Sequence, residues 1–167
     1  MLKQKNKFPQ RKDDTPMTNS QKTLEQAVAA HQRYLLKATN EDLTTAINCY
    51  IETIKENPKQ TSAYYRLAIL LHKNGQIGLE SAIEQCSQAV TINPKDPNAH
   101  MYLGYFLSLN SEFDRAKEEF KTAIKLEPGA SRTRLVLALT CLEKIKNATT
   151  KKSVKDFTNA LYYGVTG

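Results

Sequence analysis

Three times along this chain a helical segment closes on the same short signal: IKENPKQ around Pro58, INPKDP around Pro94 and LEPGAS around Pro128. Thirty-six residues separate the first two prolines and thirty-four the next two. Aligning on them brings the preceding residues into register. Ala46, Ala82 and Ala116 coincide, then Tyr50, Cys86 and Phe120, then Thr53, Ala89 and Ala123. Further upstream Leu67-Ala68 matches Leu103-Gly104, and Leu71 matches Leu107. A period in this range means stacked helical hairpins, each burying its apolar face against its neighbours. The small residues let paired helices approach closely, the larger ones fill the space between hairpins, and each proline follows a helix it cannot extend.

Within the period the pattern is helical. Leu24, Val28, His31, Leu35 and Ala38 recur at three- and four-residue steps, as do Leu43, Ala46, Ile47, Tyr50 and Ile54. Sustained period-two alternation is absent, so the expected fold is all-α. Asn40, Asp96 and Ser111 are the expected helix caps. The chain divides into a polar, basic, disordered tail over residues 1–19 and three repeats over 20–128, at about 25–60, 61–96 and 97–130. Additional helices are expected over 131–167. SRTRLVLALTCLEKIK forms one, and Ser153 opens another through Val154, Phe157, Ala160 and Leu161. These are read either as a partial fourth repeat or as a cap. The apolar end LYYGVTG is not a polar cap face and predicts continuation into a longer protein.

Composition narrows the function classes. With 40% hydrophobic and 25% charged residues, the chain is a globular one, neither collagen-like nor wholly disordered. No apolar run exceeds five residues, as at Leu135–Leu139, far short of a bilayer span, and the basic stretch MLKQKNKFPQRKDD, with no apolar segment behind it, is not expected to be a secretory signal. Cys49, Cys86 and Cys141 are odd in number and far apart, as expected of reduced thiols in a cytoplasmic protein. The net charge of +7 sits mostly at the two ends, and the 122 residues between 21 and 142 carry only +1. Solvated ends account for that pattern better than nucleic-acid binding does. No phosphate-cradling loop, zinc-type pair or nucleophile elbow occurs, so neither catalysis nor a cofactor is expected. His31, His72 and His100 fall on different repeats, which argues against a shared metal. His31 is expected to face inward as a packed histidine.

The third unit, PNAHMYLGYFLSLNSEFDRAKEEFKTAIKLEP, carries Leu103-Gly104, Leu107, Phe113, Ala116, Phe120, Ala123 and Pro128. At that spacing the chain resembles the tetratricopeptide repeat family, from about Leu24 to Pro128. The second unit has two extra residues near Gln76–Ser81, and the first replaces the large-small pair by His31-Gln32. The resemblance implies a right-handed α-solenoid acting as a non-enzymatic protein-interaction module or scaffold. It also implies a concave groove lined by the first helix of each hairpin. Carried over, the groove positions are Ala29, Arg33 and Lys37, then Tyr65, Arg66, Ile69 and Lys73, then Asn98, Met101, Tyr102 and Tyr105. The fitting partner is a protein or peptide with an acidic segment beside an apolar anchor. The family's clamp for chaperone tails expects Lys, Asn, Asn, Lys and Arg where this chain has Ala29, Arg33, Arg66, Asn98 and Tyr102. That mismatch argues against a chaperone-tail ligand. Three alternatives stay open: a docking segment of a larger enzyme such as a glycosyltransferase, a small secretion or assembly chaperone, and RNA contact through the basic ends. Homo-oligomer formation is open as well.

Overall fold

A computed structural model describes residues 16–146, with side chains described through residue 140. The expectations for the rest of the N-terminal tail, for Cys141, for the helix opened by Ser153 and for the apolar end lie outside the described residues. Among the described residues seven α-helices follow one another: α1 Asn19–Lys37, α2 Asn40–Glu56, α3 Thr61–Lys73, α4 Leu79–Ile92, α5 Pro97–Leu109, α6 Phe113–Leu126 and α7 Ser131–Lys146. No strand occurs among the described residues. Each helix packs on its chain neighbours, and in addition α3 packs on α5 and α5 on α7. The architecture is an all-α solenoid of antiparallel hairpins whose first helices share one side.

Local chemistry sets the boundaries. Thr18 caps α1 through a reciprocal pair: its side chain accepts from the Gln21 backbone N–H while the Gln21 side chain accepts from the Thr18 N–H. Ala38 ends α1 in the left-handed region at φ 53°, so it closes the helix and does not continue its apolar face. The buried stripe of α1 is correspondingly Thr23, Ala27, Ala30 and His31, with Leu24, Val28 and Leu35 only half-buried. Two expected caps shift. Thr39, not Asn40, caps α2 by accepting from the Asp42 N–H. Ser111 adopts φ 67°, and α6 starts after Glu112 without a side-chain cap. In both cases a residue one place away reaches the extended or turn geometry first. Asp96 caps α5 as expected, with its Oδ1 accepting from the Asn98 and Ala99 N–H groups while Pro97 takes the first helical position. The extra residues of the second unit form the α3–α4 turn, where Gly75 takes φ 69°.

The register read from the prolines is the packing register. Ala46, Ala82, Ala116, Cys86, Phe120, Ala89 and Ala123 are all fully buried, as are Tyr50 and Thr53. At Gly104 a Cβ would lie 2.8 Å from Phe120 Cε1 and 3.1 Å from the Ala116 carbonyl oxygen. Only glycine allows α5 and α6 to approach so closely. Polar ties link successive hairpins: Thr61 donates to Asp96 Oδ2 at 2.6 Å, and Tyr34 donates to Asn74 Oδ1 at 2.7 Å.

Candidate peptide-binding groove

The side formed by α1, α3, α5 and α7 differs chemically from the other side. Counting α7 to residue 140, these first helices carry seven basic residues and one acidic residue, Glu25. The second helices α2, α4 and α6 carry five basic and nine acidic residues. Sequence-wide charge hides this separation, because it follows the alternation of helices and not the order along the chain.

The residues carried over to the groove fall into two sets. Arg33, Lys37, Lys73 and Asn98 are exposed, and Arg66, Tyr102 and Tyr105 are half-buried. Tyr65, Ile69 and Met101, by contrast, are buried at 4%, 7% and 8% exposure within the core shared by the second and third hairpins. Their apolar surface is already in contact with neighbouring helices, so they form the floor under the site and offer little open surface. Tyr65 stacks on Tyr102 with ring centroids 4.8 Å apart and planes at 24°, which joins α3 to α5 directly beneath that side.

Arg66 is the centre of this arrangement. Its guanidinium lies within hydrogen-bonding reach of the hydroxyls of Tyr50 and Tyr65. Burial pushes the Tyr50 phenol up to about 12, and Arg66 opposes that rise. Burial also raises the phenols of Tyr65 and Tyr102, with Arg66 again opposing, and Arg132 of α7 opposes the rise at Tyr102. The charges of Arg66 on α3 and Arg132 on α7 therefore both act on Tyr102 of α5. Asp96 also faces Tyr65 but is engaged by Thr61 and by the α5 cap.

Beyond Tyr50 the chain of polar contacts reaches His31, whose Nδ1 lies 3.1 Å from the Tyr50 hydroxyl with the rings edge-on. His31 is 3% exposed. Burial, with the positive charges of Arg66 and Lys73 acting in the same direction, lowers its pKa to about 4. Burial likewise lowers the Lys73 ammonium from its ordinary value. At neutral pH the imidazole is uncharged and the neighbouring arginine holds the positive charge. Arg33 is bound to Asp42 at 2.7 Å, which commits part of its charge to the α1–α2 turn.

On the same side, α7 carries Arg132 and Leu135, two positions absent from the groove residues expected from the sequence. Both were findable. The thirty-four-residue step that carries Pro94 to Pro128 carries Asn98 to Arg132 and Met101 to Leu135. Unlike Met101, Leu135 is 46% exposed.

Elsewhere the candidate chemical groups are structural. His100 joins the Glu119 carboxylate at 2.7 Å and the Pro94 carbonyl at 3.0 Å, tying α5 to α6 and to the preceding turn. Cys86 is fully buried, and burial raises both its thiol and that of Cys49, which makes them poor nucleophiles. No group of three or more His, Cys, Asp or Glu converges as a metal site among the described residues. No helix among them is long and apolar enough to cross a membrane.

A tetratricopeptide repeat family model matches residues 33–97. Tetratricopeptide repeat protein 36 of Xenopus tropicalis is 29% identical over 118 residues, which cover 68% of this chain. This chain spans 57% of that relative's length. Among solved structures, the TPR domain of Arabidopsis OM64 superposes with a TM-score of 0.59 at 21% identity, covering 72% of this chain and 93% of that one. The second TPR domain of human RPAP3, solved in complex with the HSP70 peptide SGPTIEEVD, gives 0.58 at 19% identity, covering 73% and 98%. Repeat register, close-approach small residues and fold agree with the family match: over residues 33–97 the chain is similar to the tetratricopeptide repeat family, and its fold is that of tetratricopeptide repeat domains.

Proposed function

We propose that this protein is a non-enzymatic protein-interaction module that binds a partner segment along the side formed by α1, α3, α5 and α7. The observation that carries this reading is the charge separation between first and second helices, centred on Arg66 and Arg132 around Tyr102. A strip of cations over an aromatic floor attracts carboxylates and gives them directional donors, while its half-buried tyrosines accept an apolar side chain. The RPAP3 domain holds an acidic peptide on the same fold, which supports a peptide ligand here by analogy of fold alone. The site chemistry supplies the independent argument.

The test is capture of the partner from native lysate followed by affinity measurements on three variants with unchanged helicity. Tyr102→Ala weakens binding by about 2 kcal/mol, the usual cost of truncating a central anchor. Arg66→Glu weakens it by placing repulsion opposite the partner's acidic groups. Glu84→Ala, on the outer helix α4, leaves it unchanged. Loss of binding in Glu84→Ala alone would move the site to the second helices.

A further inference from the structure

Asn74-Gly75 is the one asparagine–glycine step in the sequence. Glycine has no Cβ to shield its amide nitrogen, so that nitrogen reaches the preceding side-chain amide more freely than when a larger residue follows the asparagine. In the reaction open to such a step, the Gly75 nitrogen gives up its proton and bonds to Asn74 Cγ. The Cγ–Nδ2 bond breaks, and the amide nitrogen leaves with that proton as ammonia. Water then opens the resulting succinimide at either carbonyl, leaving aspartate or isoaspartate at position 74. Only water is consumed, and nothing is oxidised or reduced.

The folded protein engages every group this step needs. Asn74 is half-buried and ends α3 at φ −90° and ψ 9°. That setting turns the Gly75 nitrogen away from Asn74 Cβ, whereas ring closure must bring the two onto one side. The Gly75 N–H donates to the His72 carbonyl at 3.0 Å. Asn74 Nδ2 donates to the Leu70 carbonyl at 2.7 Å, and its Oδ1 accepts from the Tyr34 hydroxyl at 2.7 Å. His72 and Leu70 belong to α3, but Tyr34 belongs to α1, so the side chain is pinned across the seam between the first two hairpins. Asn110 is an internal comparison. It ends α5 at φ −80° and ψ 4°, and Ser111 follows at φ 67° where Gly75 has 69°. The backbone is nearly the same, but Ser111 carries a Cβ, and Asn110 Nδ2 donates within its own hairpin to Glu112 at 2.8 Å.

We propose that Asn74 is a spontaneous deamidation site gated by the seam between the first and second hairpins, and that its conversion weakens that seam permanently. Aspartate places a carboxylate oxygen where Nδ2 met the Leu70 carbonyl, so two acceptors face each other. Isoaspartate adds a methylene to the main chain inside the turn. It thereby displaces the Gln76 N–H from the Leu71 carbonyl, which it now meets at 2.9 Å. Opening of the seam permits the reaction, and either product hinders closure.

The test incubates the full 167-residue chain at mildly alkaline pH. Conversion at each asparagine is read by mass spectrometry of proteolytic peptides, with aspartate and isoaspartate told apart by fragmentation. In the urea-unfolded chain Asn74 converts faster than Asn110, and folding slows Asn74 at least about tenfold. Tyr34→Phe keeps the ring and loses the donor, and it speeds conversion in the folded chain about threefold or more with unchanged helicity. Thr61→Ala cuts the bond to Asp96 in the next seam and leaves the Asn74 rate within about twofold of wild type. Asn74→Asp lowers the melting temperature by about 2 °C or more. A second measurement needs no variant: in sub-denaturing urea, conversion rises in step with hydrogen exchange of the α1 amides. Equal rates in the folded and unfolded chain overturn the proposal, as does a Tyr34→Phe rate no faster than wild type. So does an acceleration by Thr61→Ala equal to that of Tyr34→Phe, or conversion that follows exchange of α5 and not of α1, because global unfolding is then the gate. An Asn74→Asp variant that melts with wild type overturns the lasting weakening of the seam.

Discussion

The first and third hairpins perform the same geometric task with opposite chemistry. In the third, Leu103-Gly104 of α5 meets Ala116, Phe120 and Ala123 of α6, all buried, and the fit depends on shape. In the first, His31 occupies the place of Leu103, with Tyr50 where the third has Phe120 and Thr53 where it has Ala123. Here a hydrogen bond enters the fit: His31 Nδ1 lies 3.1 Å from the Tyr50 hydroxyl, while Thr53 satisfies its own hydroxyl within α2 by donating to the Cys49 carbonyl at 2.8 Å. A shape-filled core is intolerant of added volume. A core built on a buried neutral histidine is sensitive to protons, because charging that ring without water is costly. The two ends of one solenoid are therefore expected to fail under different stresses.

The largest effect comes from added volume in the third hairpin. Gly104→Leu places a Cβ 2.8 Å from a fully buried phenylalanine ring and 3.1 Å from a backbone carbonyl. Overpacking of this kind costs about 3 kcal/mol, a fall in melting temperature of roughly 10 °C for a chain of this size. Gly129→Ala meets nothing within 4 Å and serves as the neutral control. Equal melting temperatures for both variants would mean that α5 and α6 do not approach as described.

Next is the proton sensitivity of the first hairpin. His31 has a folded pKa of about 4 against an ordinary 6.5. Because folding depresses it, its neutral form contributes stability that is fully present above pH 6.5 and is lost as pH falls towards 4. The loss is at most about 3 kcal/mol. Thermal melts of wild type and His31→Leu between pH 7.5 and 4 should diverge in slope, with the variant flatter through this window. Parallel curves would place the acid-sensitive group elsewhere.

The sequence made the third hairpin more legible than the first for the same physical reason. Shape packing leaves a positional signature, so Gly104, Ala116 and Phe120 could be aligned on the prolines and read as contacts. A polar substitute leaves none: His31-Gln32 broke the pattern, and nothing in the sequence joined His31 to Tyr50, Tyr50 to Arg66, or Arg66 to Tyr102. For the site, periodicity gave the side of the stack on which the side chains converge but not how deeply each sits. Tyr65 and Tyr102 occupy adjacent first helices and stack on each other, yet one is buried and the other half-buried. Cap positions were read to within one residue at α2 and α6, where several polar residues compete for one turn.

A smaller effect tests the seam between hairpins. Asp96 caps α5 through two backbone N–H groups and accepts from Thr61 of the preceding hairpin at 2.6 Å. The corresponding position before α3, Gln60, makes no side-chain cap bond. Asp96→Ala should therefore cost about 1–2 kcal/mol, and Gln60→Ala much less. Measured by urea denaturation, equal losses for the two would show that the cap, not the packing register, is dispensable at this seam.

The smallest expected effect separates structural charge from charge available to a ligand. Arg33 and Arg132 both belong to the basic side, but Arg33 is held by Asp42 at 2.7 Å in the α1–α2 turn. Thr39 donates to the same carboxylate at 2.6 Å, and the Thr39 and Arg33 hydrogen bonds hold the Asp42 carboxyl below its ordinary value. That contribution is present above pH 3.8 and fades as pH falls through the lowered value, below the window in which His31 charges. The pair is exposed to solvent and salt, so Arg33→Ala should move the melting temperature by no more than about 2 °C. Its effect on affinity for an acidic peptide should be smaller than that of Arg132→Ala, because its guanidinium already has a carboxylate partner inside the protein. Adding Asp42→Asn changes the balance: it releases Arg33, so the single variant Asp42→Asn should bind the acidic peptide slightly more tightly than wild type, and Arg33→Ala should then cost more in that background. If the double-mutant cycle shows no such coupling, Arg33 does not share the partner's carboxylates, and the ligand lies over α3, α5 and α7 alone.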